Sequence, residues 1–170
     1  ITIPVVPGTS AVNTITFNGN GNTLTSALGP STLELNGADF IKINNLVVAN
    51  TNATTAFACH LWNNADNNRF DGCTFTVPIA NTATTSVPFS VSGAQAAATT
   101  SGASGINDTL INSTIIGGYY NTCFVGNSAA VGTGNYLFNN TLQDFYLYGS
   151  YNLYQNGMVI RKNVIERPTR

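Results

Sequence analysis

The sequence repeats a shape rather than a fixed motif. Ile43-Asn44-Asn45-Leu46-Val47-Val48 is an apolar residue, a polar bend, and a second apolar stretch ending five positions on. The same shape returns as Phe70-Asp71-Gly72-Cys73-Thr74-Phe75, Leu110-Ile111-Asn112-Ser113-Thr114-Ile115, Leu137-Phe138-Asn139-Asn140-Thr141-Leu142 and Ile160-Arg161-Lys162-Asn163-Val164-Ile165. The steps between their first residues are 27, 40, 27 and 23, and Phe17 opens an earlier copy 26 residues before Ile43. A unit this short cannot bury its own apolar side, so such copies must stack on one another.

A second set of strands interleaves with the first in the same order. Its members start at Leu33, Cys59, Phe89, Cys123 and Phe145, and each is followed by a turn rich in Gly, Asn or Ser. Period-2 alternation sends Leu33, Cys59, Phe89, Cys123 and Phe145 inward, with Leu35, Leu61, Val91, Val125 and Leu147 as the next inner column. The residues between them then face out. Two interleaved families predict an all-β fold, a single-stranded parallel β-solenoid of about five to six coils. At ~4.8 Å per rung, six rungs make a rod ~24 Å between first and last strands. A β-sandwich is the runner-up, separable by strand connectivity.

Composition agrees. The chain holds 24 Asn, 23 Thr and 16 Gly, residues of strands and turns and poor helix formers. Six basic and seven acidic residues leave no basic face for nucleic acid. No apolar run of membrane-spanning length occurs, so no membrane insertion is expected. Cys59, Cys73 and Cys123 have no CxxC spacing; Cys59 and Cys123 share a column two rungs apart, ~9.6 Å by the rung spacing, beyond disulfide reach. Free thiols are expected. Residues 1–170 read as one β-helix segment, with small, uncharged residues 93–105 as a loop excursion from one coil. Neither end reads as a polar cap, so flanking coils of a longer solenoid are expected to continue it.

The stretches FIKINNLVV, NRFDGCTF, NDTLINSTI, NYLFNNTL and GMVIRKNVI resemble the repeats of right-handed parallel β-helices of the pectate-lyase-like family. The run from NGADF to DGCTF is similar in phrasing to large secreted surface proteins of Bacteroidetes-type bacteria. The resemblance covers Phe17 to Ile165. It implies the fold and an extracellular or cell-surface location in a bacterium. It leaves activity open, because this fold carries lyases, hydrolases, adhesins and scaffolds.

Two constellations carry the functional expectations. The outward column places His60, Trp62, Phe124, Tyr146 and Tyr148 on one exterior face, where aromatic rings beside Asn and Ser suit sugar rings. An aromatic outer core beneath loops is the competing reading. Lys42 and Arg69 hold equivalent positions on neighbouring rungs, as do Asp39 and Asp66. That pairing matches by residue type what a polysaccharide lyase needs, acids to hold Ca²⁺ and a base. The plainer reading makes Asp39 and Asp66 turn residues bonding local amides. An ice-binding Thr column fails along the outward positions Thr16, Lys42, Arg69, Thr109, Tyr136 and Val159. No metal site is expected from one histidine, and no cofactor outside the Ca²⁺ of a lyase. The sequence thus points first to a non-enzymatic scaffold or adhesin binding polysaccharide or cell-surface glycan. A polysaccharide lyase or glycoside hydrolase is the alternative.

Overall fold

The chain winds six times around a common axis and visits three parallel sheets in turn. The computed structural model describes every residue from Ile1 to Arg170. The first sheet comprises Thr2–Pro4, Ser31–Asn36, Ala56–Trp62, Ser86–Val91, Tyr120–Val125 and Tyr148–Leu153. The second comprises Ile15–Asn18, Ile41–Asn44, Arg69–Asp71, Thr109–Ile111, Tyr136–Phe138 and Val159–Arg161. The third comprises Thr23–Ser26, Val47–Asn50, Thr74–Thr76, Thr114–Ile116, Thr141–Gln143 and Val164–Glu166. All pairing between these strands is parallel and there is no helix, so the fold is a parallel β-solenoid of six rungs. Each repeated hexapeptide shape is a second-sheet strand, a bend and a third-sheet strand.

Inward residues form columns along the axis. Ile43, Phe70, Leu110 and Leu137 stack in the second sheet, and Val48, Phe75, Ile115 and Leu142 in the third. All eight are 0–1% exposed. Phe70, Phe75 and Phe89 meet edge-on with centroids 5.1 to 5.8 Å apart. Burying one such ring contributes ~1.5–3 kcal/mol.

Asparagine builds the corners. Between the second and third sheets the bend needs a left-handed residue, supplied by Asn45, Gly72, Asn112, Asn139 and Lys162 at φ of 50 to 64°. Asn and Gly adopt that conformation at least cost. The next residue turns inward, and where it is Cys73, Ser113, Asn140 or Asn163 its side chain bonds the backbone of the adjacent rung. The amide of Asn140 donates to Asn163 Oδ1 and that of Ser113 to Asn140 Oδ1, both at 2.9 Å. Asn140 Nδ2 donates to the Leu110 carbonyl at 2.9 Å. A second buried ladder at the corner between first and second sheets runs through Asn68, Asp108 and Asn135. These ladders satisfy backbone groups that the bends remove from sheet pairing. Cys59, Cys73 and Cys123 are buried free thiols, as expected.

The first sheet departs from simple alternation. Ser90 pairs with Cys123 and Val91 with Phe124, so the Cys123 strand sits one residue away from the register expected from sequence. A one-residue slip exchanges faces. Phe124 therefore points into the main core, and Cys123 faces out beside Phe57, Val87, Tyr120 and Val125. The segment starting at Phe145 is a corner, and the last strand of this sheet is Tyr148–Leu153. Residues 93–105 form no helix and hold one isolated bridge, Ala94 with Ala97. They lie over the outer face of the first sheet, with Ala98 packed in the same outer cluster as Cys123.

Candidate functional site

The expected aromatic face divides into a covered half and an open half. His60 and Phe124 are fully buried. His60 lies beneath the 93–105 segment with its ring centroid 4.7 Å from that of Phe57. Its Nδ1 is 3.0 Å from the Gln95 carbonyl and its Nε2 is 2.8 Å from Ser92 Oγ. A carbonyl only accepts, so the neutral ring carries its proton on Nδ1, and the single Ser92 hydroxyl proton is shared between Nε2 and the Ala97 carbonyl, which is also 2.8 Å away. Burial pushes the His60 pKa down to about 4, against the opposing effect of the Gln95 carbonyl. Trp62 is half-buried and donates from Nε1 to Glu34 Oε1 at 2.8 Å. Gln95 Nε2 donates to both oxygens of the same buried carboxylate at 3.0 Å. Loop and sheet are thus stitched together through Glu34, and His60 belongs to the packing under that loop.

Tyr146 and Tyr148 are 44% and 49% exposed, at the other end of the first sheet. They join Tyr119, Tyr120 and Tyr151 in a five-ring patch. Tyr148 stacks on Tyr120 at 5.8 Å and 4°, and Tyr151 on Tyr120 at 4.9 Å and 22°. Tyr119 meets Tyr120 edge-on at 4.8 Å and Tyr146 at 5.4 Å. Burial and the neighbouring Tyr119 push the Tyr120 phenol up to about 12, so it stays protonated. The C-terminal tail frames the patch. Thr169 bonds both Asp144 carboxylate oxygens at 2.8 Å, and the Arg170 guanidinium lies 4.9 Å from the Tyr146 ring centroid. Ser150 and Asn152, on the same terminal strand, supply polar groups nearby. Such a patch offers ring faces to apolar sugar C–H groups and donors to hydroxyls.

Lys42 and Arg69 are direct cross-strand neighbours on the outer face of the second sheet. With Thr16, Asn18, Asn44 and Asp71 they line an open polar trough. Arg69 pairs with Asp71 at 2.6 Å, not with Asp66. Asp39 and Asp66 lie instead at the corner and cap the next rung. Asp39 Oδ1 accepts the Asp66 amide at 2.8 Å, and Asp66 Oδ1 accepts the Ile106 amide at 3.0 Å. Partial burial, and to a lesser degree Asp39, raise the Asp66 pKa. Each acid thus bonds an amide of the neighbouring rung, 27 and 40 residues on, rather than a local turn amide, and neither pairs with the two bases. No group of three or more His, Cys, Asp or Glu side chains is arranged to hold a metal ion.

The sequence reading did not single out an aromatic pair farther along this face. Tyr136 and Phe138 stack at 5.6 Å and 19°. Arg161 and Lys162 lie 5.7 and 5.4 Å from the Phe138 centroid, within cation–π range. The signal was present: both flank the inward Leu137 and so must share the outer side.

Fold and surface together define a parallel β-solenoid whose first-sheet face is roofed over one half and bears tyrosines on the other, with a second aromatic pair on the outer face of the second sheet. Compared with protein-family models, curated proteins and solved structures, the chain matches none.

Proposed function

We propose that this chain is a non-catalytic β-solenoid scaffold that binds glycans at the tyrosine patch formed by Tyr119, Tyr120, Tyr146, Tyr148 and Tyr151. The carrying observation is that Tyr146 and Tyr148 remain nearly half exposed while stacking and the Arg170 contact hold them in place. Rigid aromatic rings recognise ligands at low entropic cost, and large exposed aromatic surface marks a partner site. An extracellular or cell-surface location fits a glycan ligand. The commitment of Asp39 and Asp66 to backbone amides disfavours the lyase alternative.

The test is titration with neutral and acidic polysaccharides, with and without Ca²⁺, scoring both retention and new chain ends. Binding without product is expected. Tyr148→Ala should weaken it ~2- to 12-fold, the loss of one aromatic contact of ~0.5–1.5 kcal/mol. Lys42→Ala should leave it unchanged. Product formation, or binding indifferent to Tyr146→Ala and Tyr148→Ala together, overturns the proposal.

A further inference from the structure

Loops at the corner between the first and second sheets enclose an open cleft of about 430 Å³. It spans the third, fourth and fifth rungs, so each of its walls has a neighbouring rung on both sides. Asn64 and Asp66 come from the third rung, Ile106 from the fourth, and Asn127, Val131 and Thr133 from the fifth. The walls are tied to one another. The Asn64 amide donates to the Ala103 carbonyl at 3.1 Å, and Ser101 Oγ to the Gly126 carbonyl at 2.9 Å. Asn127 and Ala130 exchange backbone hydrogen bonds of 3.2 Å, and the Gly132 amide donates to the Tyr154 carbonyl at 2.9 Å. The cleft is therefore preformed, and its volume lies in the ~300–1,000 Å³ range of small-ligand pockets.

Its polar groups are only partly spent. Asp66 Oδ1 accepts the Ile106 amide, and Oδ2 bonds nothing in the chain. Asn127 Oδ1 accepts the Ala129 amide, and its Nδ2 is free. The side chains of Asn64 and Thr133 line the cleft without a hydrogen-bond partner. Beside them Ile106 is half-buried and Val131 is 40% exposed, so the cleft also has apolar surface. Asp66 is the one charged residue of the lining, and Asp39, bonded to its amide, adds a negative charge behind it. With no cation to oppose them, these acids repel an anionic ligand. One carboxylate in the lining is also too few oxygen ligands for a calcium ion. A neutral molecule with several hydroxyls and some C–H surface matches what is left. We infer that the cleft binds a single neutral sugar ring, free or at the end of a glycan. Asp66 Oδ2 accepts from one hydroxyl, Asn127 Nδ2 and the Asn64 amide group bond its neighbours, and Ile106 with Val131 covers the ring C–H groups. The tyrosine patch lies at the opposite end of the first-sheet strands, ~20 Å away for six residues of strand. A long polysaccharide has few ends, so the patch governs its retention and the cleft reads its terminal unit.

Amide NMR of the 170-residue chain, titrated with D-glucose, D-galactose and D-mannose from micromolar to high millimolar concentration, reads the cleft directly. The expected result is a saturable shift of the Asn64, Ile106 and Asn127 amides with at least one of the three sugars. Asp66→Asn keeps an oxygen for the Ile106 amide and removes the charge. It should weaken binding ~5- to 12-fold, the difference between a charged and a neutral hydrogen bond. Ala103→Leu, at an exposed position of the wall, narrows the cleft with Asp66 in place and should weaken binding as well. D-Galacturonate should bind more weakly than D-galactose, because its carboxylate meets the negative field of Asp66. The amides of Tyr120 and Tyr148 report the tyrosine patch in the same spectra. No cleft shift with any of the three sugars overturns the inference, and shifts confined to the patch overturn it while leaving the patch reading intact. Cleft shifts that persist unchanged in both variants, or galacturonate bound as tightly as galactose, overturn it too.

Discussion

Replacing Asn140 with Ala removes the centre of a buried polar ladder while leaving the apolar columns intact. Asn140 is 1% exposed. Its Oδ1 accepts the Ser113 amide and its Nδ2 donates to the Leu110 carbonyl, each at 2.9 Å. The substitution leaves that N–H buried without a partner, while the Leu110 carbonyl keeps its place in the strand ladder beside the Ile111–Phe138 pairing. The orphaned N–H costs ~1–3 kcal/mol, so the variant should lose about that much. For a chain of this length each kcal/mol moves the melting midpoint ~2–4 °C, giving a drop of roughly 2–12 °C. Asn139→Gly is the matched comparison. Asn139 is exposed, its φ is 55°, and it bonds only Asn112 among side chains. Glycine accepts that φ, so the change should stay within ~0.5 kcal/mol. Thermal melts give the totals, and amide hydrogen exchange should show Ser113 losing protection in the Asn140 variant alone. Equal effects from the two substitutions would refute the ladder as a source of stability.

Two further predictions concern pH. The His60 pKa falls from 6.5 to about 4 on folding, chiefly through burial. Between those values the unfolded chain binds a proton that the folded chain does not. Stability is therefore full above pH 6.5 and is lost as pH falls toward 4, by about 3 kcal/mol for this group. Denaturant unfolding of the wild type and His60→Gln across that range should show the variant's curve flatter; parallel curves would contradict the assignment. Asp108 acts with the opposite sign. It stands in the second ladder, where Oδ1 accepts the Asn68 amide at 2.9 Å and Oδ2 has no partner. Burial pushes its carboxyl well above the usual range, with the Asn68 amide bond opposing and Asp66 adding to the shift. As pH rises past 3.8 the unfolded chain ionises first, and the wild type loses stability. Asp108→Asn matches its ladder neighbours Asn68 and Asn135, so it should stabilise increasingly as pH rises and match the wild type in acid.

The second and third sheets were legible in the sequence because their strands are short and one-sided. Phe70-Asp71-Gly72-Cys73-Thr74-Phe75 buries Phe70, Cys73 and Phe75 and turns on Gly72, so pattern and turn chemistry agree. The role of Asn139 and Asn140 in the bends followed from the same agreement. The first sheet was legible only as far as Phe89. From Tyr120 to Val125 all six residues are buried, since a second apolar cluster and the 93–105 segment cover the outer side. With both faces apolar, alternation carries no sign, and the register slipped by one residue. Phe145-Tyr146-Leu147-Tyr148 alternates like a strand but forms a corner, so Tyr146 and Tyr148 joined Tyr119 and Tyr120 rather than Trp62. That grouping depends on tertiary stacking of rings 27 to 31 positions apart, which local pattern does not encode.

Six parallel rungs in one register hold the fold together, and distances between spin labels along one outer column measure that register directly. Thr23, Val47, Thr74, Thr114, Thr141 and Val164 form such a column on the third sheet. The three native thiols are buried with raised pKa values and should stay unlabelled beside cysteines introduced in pairs at these positions. Electron–electron double resonance should give separations that grow in equal steps, reaching ~24 Å between Thr23 and Val164 backbones, five rungs of ~4.8 Å. Distances that fail to scale with rung number, as in a sandwich of antiparallel strands, would contradict the solenoid and everything built on it.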